Sequence, residues 1–255
     1  MRVIDHYGDG DWYDAEYVHI RADLALYRAV ATEARGPVLE LACGTGRISY
    51  PMAQAGATVV GVDLAPAMLA RARRRLGQVP PDVAGRLRWV EGDMRTLRLE
   101  QAFDRVVLGF NSLLHMLEDD DLLAVLETAR THLAPGGRFC FDIFSPSSGP
   151  PERDPEGRYD PQQMIGPDGR RWIVSENNRY DPRRQINHMR FYYRRADAPD
   201  GEELMAEIPL RVIYPRELEL FLRQAGLEIA AEYDDYARTR PYTAQGLRVV
   251  EAQVR

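Results

Sequence analysis

Between Pro37 and Phe144 the chain repeats one rhythm: a short apolar run, a turn, then a stretch of helical periodicity. Val38–Ala42, Thr58–Asp63, Leu87–Glu91, Phe103–Gly109 and Arg138–Phe144 read as buried strands. The segments between them read as helices: from the Gly turn to about Ala55, from Pro66 to about Leu76, and from about Asp120 to His132. Pro66 suits a helix start, because its φ is already helical and a first-turn N–H has no partner to lose. Strands separated by helices pair in parallel, with helices over both faces. The expected fold is therefore α/β, a doubly wound sheet. Ligands of such sheets sit at the carboxyl ends of the strands, so the residues just after each strand are the ones to read for function.

The rhythm stops at Ser145. Residues 145–170 are rich in Pro, Gly, Ser and Asp and read as a loop. Trp172–Tyr180, Ile186–Arg195 and Leu204–Tyr214 then read as antiparallel strands, with turns at Asp181-Pro182 and Asp200-Gly201. A helix from Pro215 to Gln224 ends at Gly226, and strands Leu227–Tyr233 and Leu247–Val254 close the pattern. The β-rich stretch interrupts the α/β unit above the carboxyl edge of its sheet, where a lid or a substrate-binding cap would stand. Ahead of the first strand, residues 1–35 are aromatic-rich and then helical from Ala22 to Ala34.

Composition narrows the chemistry. The 255-residue chain has no lysine, and its 33 basic residues are all arginine. Schiff bases, a lysine-held pyridoxal phosphate, a P-loop and a lysine general base are thereby excluded. A net charge of −6 disfavours nucleic acid as a partner. The one basic run, Arg71-Ala72-Arg73-Arg74-Arg75, reads as a solvated helix face. No run approaches the roughly 18–20 apolar residues of a membrane helix, and the start lacks the apolar core of a signal peptide. A soluble, cytoplasmic protein without a membrane partner is expected. Cys43 and Cys140 lie in separate apolar runs without metal-ligand spacing, and Glu118 to Asp121 read as acids at a helix start, so no metal is expected.

The first strand runs into Glu40-Leu41-Ala42-Cys43-Gly44-Thr45-Gly46-Arg47. Two glycines let backbone pass close to a ligand, and the helix after them offers free N–H groups. Asp63, nineteen residues after Gly44, ends the second strand, where a carboxylate can accept both ribose hydroxyls of an adenosine. A dinucleotide would want Gly or Ala where Ser49 stands, and would place its pyrophosphate near Glu40. An acid there is better matched to a cationic amino-acid group.

With these residues in place, the sequence resembles the class I S-adenosylmethionine-dependent methyltransferases over nearly its whole length. Val38 to Gly46 looks like the motif that wraps the methionine part of the cofactor, giving Glu40, Ala42, Gly44 and Gly46 to the site, and Asp63 looks like the ribose acid. Leu64 and Met68 would follow it along the cofactor wall. Glu91-Gly92-Asp93-Met94 looks like the adenine segment, with Asp93 at the amino group and Met94 on the ring. Phe103 to Asn111 looks like the fourth strand and the loop beneath the methyl group, and Leu133 to Arg138 like the turn into strand five. The resemblance implies a seven-stranded Rossmann-like sheet with its last strand antiparallel. It separates the two cysteines by a strand, too far for a disulfide. A narrower likeness is to small-molecule methyltransferases with a β-rich insertion after strand five, such as glycine N-methyltransferase and amino-sugar N-methyltransferases. It implies a division into an N-terminal helical lid (1–35), a cofactor-binding domain (36–145 and 215–255) and a substrate-binding insertion (146–214).

The implied reaction is metal-independent methyl transfer to an O or N atom of a small molecule. The alternatives are use of the cofactor without methyl transfer (cyclisation or lyase chemistry), an RNA or protein methyltransferase, a nicotinamide oxidoreductase, and a non-catalytic binder. A homodimer is compatible with this reading. Methyl transfer from a sulfonium needs alignment and exclusion of water, and a base only when the nucleophile arrives protonated. His115 is the candidate base, or else a histidine holding its loop. Asn111 would orient a substrate or cap a turn. Tyr13 and Tyr17 would close over the sulfonium as aromatic faces or simply pack, and Phe110 lies beneath it. Arg21 would pair with the cofactor carboxylate, or with Asp14 or Glu16. In the insertion, Asn177, Arg179, His188, Arg190, Tyr192 and Arg211 are candidates whose inward face alternation alone leaves open.

Overall fold

The computed structural model describes residues 1–146, 148–198 and 200–255. In chain order the elements are β1 (Arg2–Val3), α1 (Gly10–Tyr17), α2 (Ala22–Glu33), β2 (Val38–Leu41), α3 (Ser49–Gln54), β3 (Val59–Asp63), α4 (Pro66–Arg75), α5 (Pro81–Ala84), β4 (Leu87–Glu91), β5 (Phe103–Leu108), α6 (Asp119–His132), β6 (Leu133–Pro146), β7 (Tyr159–Ile165), β8 (Arg171–Asp181), β9 (Ile186–Arg195), β10 (Leu204–Arg211), α7 (Pro215–Gln224), β11 (Leu227–Tyr233) and β12 (Gln245–Val254).

The main sheet has seven strands in the order β11-β12-β6-β5-β2-β3-β4. Strands β6, β5, β2, β3 and β4 run parallel, and β12 lies antiparallel between β6 and β11. This is the expected doubly wound α/β sheet with its last strand reversed. Alternation divides the side chains between two cores. Leu39 and Leu41 of β2 join the layer under α6 and α7, while Val38 joins Leu26, Tyr27 and Val30 of α2 on the other face. Cys43 and Cys140 are free and buried, with β5 between β2 and β6.

The second sheet is antiparallel, in the order β1-β10-β9-β8-β7, except that β1 joins β10 in parallel. Two of its strands are departures from expectation. β7 falls inside the stretch read as a loop; Pro161 cannot donate to a ladder, and a strand carrying one is confined to an edge, where β7 sits. β1 comes from the chain start: Arg2 pairs with Leu204 and Val3 with Met205, so two residues with no strand pattern of their own are ordered by a distant edge. α2 is equally far from free, since Leu26, Tyr27 and Val30 are buried against the main sheet.

The arginine run on α4 also departs from the reading as a solvated face. Arg71 lies 3.0 Å from Asp11 and 2.8 Å from Asp14, Arg74 pairs with Asp11, and Arg75 covers the Tyr50 ring. Arg71 and Arg74 fasten α1 to α4. No helix among the described residues is long and apolar enough to cross a membrane.

Candidate active site

The largest set of sequence-predicted residues meets in one crevice of about 570 Å³ at the carboxyl ends of β2, β3, β4 and β5. Its floor begins at the turn after β2. Ala42, Gly44 and Gly46 all take positive φ, at 51°, 56° and 78°. A positive φ costs Ala42 strain, and within the turn the Cys43 N–H donates to the Val62 carbonyl and the Gly46 N–H to the Cys43 carbonyl. A Cβ added at Gly44 would meet nothing within 4 Å, so the space beside it is open to a ligand. Asp63 stabilises this turn: its Oδ2 accepts the Gly44 N–H at 2.7 Å and its Oδ1 the Ala65 N–H at 2.8 Å. Burial raises its carboxyl above the usual range. Each oxygen keeps a lone pair free for a diol in the crevice.

Leu64, Met68 and Met94 supply the apolar side of the crevice beyond Asp63. Asp93 stands beside them, but Arg95 uses its carboxylate through four hydrogen bonds of 2.6–3.1 Å, then reaches Asp121 at 2.9 Å. The opposite wall is aromatic. Tyr13 and Tyr17 of α1 have ring centroids 4.7 Å apart, and Tyr17 meets Phe110 edge-on at 5.2 Å. Arg47 covers the other side of Phe110 at 4.3 Å while pairing with buried Asp23.

Phe110 and Asn111 form a turn of two left-handed residues, at φ 58° and 60°. The strain is held from below. The Phe110 N–H donates to Asp142 Oδ1 at 2.9 Å, and Tyr27 and Tyr236 donate to the same carboxylate. Asn111 Oδ1 accepts the Phe144 N–H at 2.6 Å, which ties the turn to β6. His115, one turn further on, lies 3.0 Å from the Tyr7 hydroxyl through Nε2. Burial pushes His115 down to about 4. His6 is also pushed down to about 4, by burial first and then by His115. It stacks on Phe191 of β9 at 5.4 Å. Ile208 and Leu210 of β10 complete this end.

The donor set matches an adenosyl sulfonium. It offers a carboxylate with free lone pairs beside an open glycine, an apolar slot, and aromatic faces, which attract a cation. A methyltransferase-domain profile matches residues 38–137. The cypemycin N-terminal methyltransferase of a Streptomyces species is 32% identical over 220 residues, spanning 85% of this chain and 83% of that protein. Among solved structures, the CcbJ methyltransferase from Streptomyces caelestis is similar with a TM-score of 0.79 at 26% identity, over 98% of both chains. The S-adenosylmethionine-bound amino pentose methyltransferase CalS10 from Micromonospora echinaspora matches at TM-score 0.65 and 26% identity, over 96% of this chain and 92% of that one.

The chain belongs to the S-adenosylmethionine-dependent methyltransferases. The cofactor supplies this methyltransferase with an electrophilic methyl group activated by the positive charge on sulfur. The crevice presents to such a group the glycine turn, the Asp63 carboxylate and the aromatic wall. Among the described residues no group of three His, Cys, Asp or Glu side chains is placed to hold a metal.

Three residues expected at the methyltransferase's cofactor are not brought to the crevice wall. Glu40 is buried within β2, where it accepts the Ser49 hydroxyl, and burial pushes it up to about 8. Gly46 is buried because Trp89 and Tyr50 pack against it; a Cβ there would lie 2.7 Å from the Trp89 ring. Arg21 is exposed, its Nε donating to the Val18 carbonyl at 3.3 Å, and it borders a separate surface cavity. Its alternative partners are also engaged elsewhere, Asp14 with Arg71 and Glu16 with Tyr193.

The insertion candidates face away as well. Arg190 and His188 pair with Glu207, Tyr192 lies beneath Arg158, Asn177 holds the backbone of residues 154–157, and Arg211 pairs with Asp119 and Glu217. Period-two alternation puts Phe191 on the face opposite Arg190 and Tyr192, and that face meets the crevice. His6, Tyr7, Arg95, Phe191 and Asp142 were not anticipated. For Asp142 a signal existed, an acid inside the apolar strand Phe139 to Phe144.

Proposed function

We propose that this methyltransferase methylates the nitrogen of a small-molecule amine. The observation that carries the reading is the end of the crevice shared by the chain start, the turn at residues 112–115 and the insertion sheet. It is built from His6, Tyr7, His115, Phe191, Ile208 and Leu210; of the four acidic and arginine side chains lining the crevice, Asp93 and Asp121 pair with Arg95 and Asp63 holds backbone N–H groups. Such a wall gives an arriving ammonium no counter-charge and so favours its conversion to the neutral amine with its lone pair available. His6 and His115, held near pKa 4, are neutral at pH 7; Tyr17 and Tyr193 occupy both His6 nitrogens, and the His115 nitrogen that Tyr7 leaves free can accept an N–H, orienting that lone pair. Both histidines are too weakly basic to ionise an alcohol, so an oxygen nucleophile is poorly served.

In this reading His115 and Tyr7 orient the acceptor and Tyr13 closes beside the sulfonium. Asn111 fixes the turn below, and residues 1–20 with the insertion form the cover that selects the acceptor. The relatives' names point the same way, since one is an N-terminal methyltransferase and another an amino pentose methyltransferase. The acceptor is taken as a small molecule rather than nucleic acid, in keeping with the net charge of −6. Two buried free thiols suit a reducing cytoplasm.

The test is mass spectrometry of reactions with S-adenosylmethionine and matched amines and alcohols. Methylated amine and S-adenosylhomocysteine are expected, undiminished by EDTA. Methylation of the alcohols alone would overturn the nitrogen assignment, and methylthioadenosine as product would overturn methyl transfer.

A further inference from the structure

A line of hydrogen bonds leads out of the aromatic end of the crevice. The Tyr17 hydroxyl lies 3.1 Å from His6 Nε2, His6 Nδ1 lies 3.3 Å from the Tyr193 hydroxyl, and that hydroxyl donates to Glu16 Oε2 at 2.9 Å. Tyr17 and His6 face the crevice. Glu16 and Tyr17 face a second cavity of about 160 Å³, whose Asp160 and Gln162 are exposed at the surface. The line therefore begins at the crevice and ends at a cavity with exposed residues at its rim. His6, Glu16 and Tyr193 are all buried. Burying a carboxylate with only neutral hydrogen-bond partners is costly, and packing alone does not account for it.

The line has two self-consistent settings. With Glu16 ionised, Tyr193 donates to it and accepts from His6 Nδ1–H, which leaves Nε2 bare to accept the Tyr17 hydroxyl. With Glu16 protonated, every bond reverses: Glu16 donates to Tyr193, Tyr193 to Nδ1, and Nε2–H to Tyr17. Passing from the first setting to the second moves one proton from the crevice end to Glu16 without any residue carrying a lasting charge in between.

We infer that His6, Tyr193 and Glu16 form a proton relay that strips the incoming ammonium before methylation, an inference that rests on the amine reading above. The ammonium N–H bond breaks and its electron pair stays on nitrogen as the attacking lone pair. The proton goes to the Tyr17 oxygen, the Tyr17 proton to Nε2, the Nδ1 proton to Tyr193 and the Tyr193 proton to Glu16, which then releases it to the second cavity. Burial pushes Glu16 up to about 7 against the pull of hydrogen bonds from Tyr193 and Tyr17, so it can both take and release a proton near neutrality. The titratable groups around it are Tyr13 and Tyr17 on its own helix, His6 from the chain start and Tyr193 from β9. His19, Asp160 and Glu176 border the second cavity, the two acids both paired with Arg153.

Two measurements on the full chain test the relay. In the ligand-free protein, ring-¹⁵N spectra should show His6 as the Nδ1–H tautomer above pH 7 and as Nε2–H below it, with no change of tautomer in Glu16→Gln. A His6 tautomer independent of pH in the unaltered protein would overturn the relay. With an amine acceptor, Glu16→Gln and Tyr193→Phe should each lower kcat by roughly 10- to 100-fold, leave S-adenosylmethionine affinity unchanged and remove the loss of kcat below pH 7. A normal kcat with the acid limb intact in both variants would also overturn it. Should the protein methylate alcohols and no amine, the amine reading fails, while the tautomer measurement still decides whether the line switches.

Discussion

Both oxygens of Asp63 hold backbone on the crevice floor, one on each side of the carboxylate. Replacing it with Asn leaves one acceptor and turns an NH₂ group toward a backbone N–H. A buried donor left without a partner costs about 1–3 kcal/mol. Asp63→Asn should therefore weaken S-adenosylmethionine binding by roughly 10- to 100-fold in calorimetry, at about 1.4 kcal/mol per tenfold. Unchanged affinity would remove Asp63 from the cofactor's ribose. The Asp63 reading rested on a local signal, an acid at the end of a strand at a fixed interval from a glycine turn, and the fold brings that acid onto the turn. Glu40 was equally conspicuous, but sequence spacing does not tell which side of a strand is covered, and its burial against Ser49 is visible only in the fold. Asp142 was unreadable in function because its partners Tyr27, Phe110 and Tyr236 come from three distant segments that only the fold brings together.

Helix α1 carries Tyr13 and Tyr17, four residues apart and hence on one face, so their position depends on how closely the helix meets α4. Gly10 sets that approach. A Cβ there would lie 2.6 Å from Arg71 Cβ and 3.2 Å from Thr45 Cγ2, and neither is the free end of a flexible side chain. Gly10→Ala should push α1 off the body, stretch the Arg71 pairs with Asp11 and Asp14, and shift both tyrosines. The expected result is a several-fold rise in KM for S-adenosylmethionine with a lower kcat, and a melting temperature changed by only a few degrees; unaltered steady-state kinetics would contradict the tight seating. Strands and helices with their own periodicity were legible at this scale, from β2 through α6 and again from β8 to β12. β1 and β7 were not, because an edge strand of two residues, or one interrupted by Pro161, is specified by its neighbour rather than by its own pattern.

At the scale of the whole molecule, the crevice is assembled from a sheet, a chain start and an insertion that are far apart in sequence, and the assembly buries ionisable groups of opposite sense. Their balance governs stability against pH. Glu40, near 8, and Glu16, near 7, have folded values above the unfolded one, so the folded state holds extra protons above pH 4.5 and loses that stabilisation as pH rises through 7 and 8. His6 and His115, both near 4, lie below the unfolded 6.5, so their contribution is lost as pH falls from 6.5 toward 4. Between 6.5 and 4.5 the two pairs oppose each other and nearly cancel. Above 6.5 the histidines are neutral in both states and only the glutamates act. The ligand-free protein should therefore gain on the order of 2–3 kcal/mol as pH drops from 8.5 to 6.5, roughly 5–10 °C in melting temperature, and change little down to about 4.5. Scanning calorimetry checks this. Glu40→Gln, which keeps an acceptor for Ser49, should remove more than half of the slope above pH 6.5. A melting temperature that is flat or rises between pH 6.5 and 8.5 would mean that Glu40 and Glu16 are ionised in the folded protein at neutral pH.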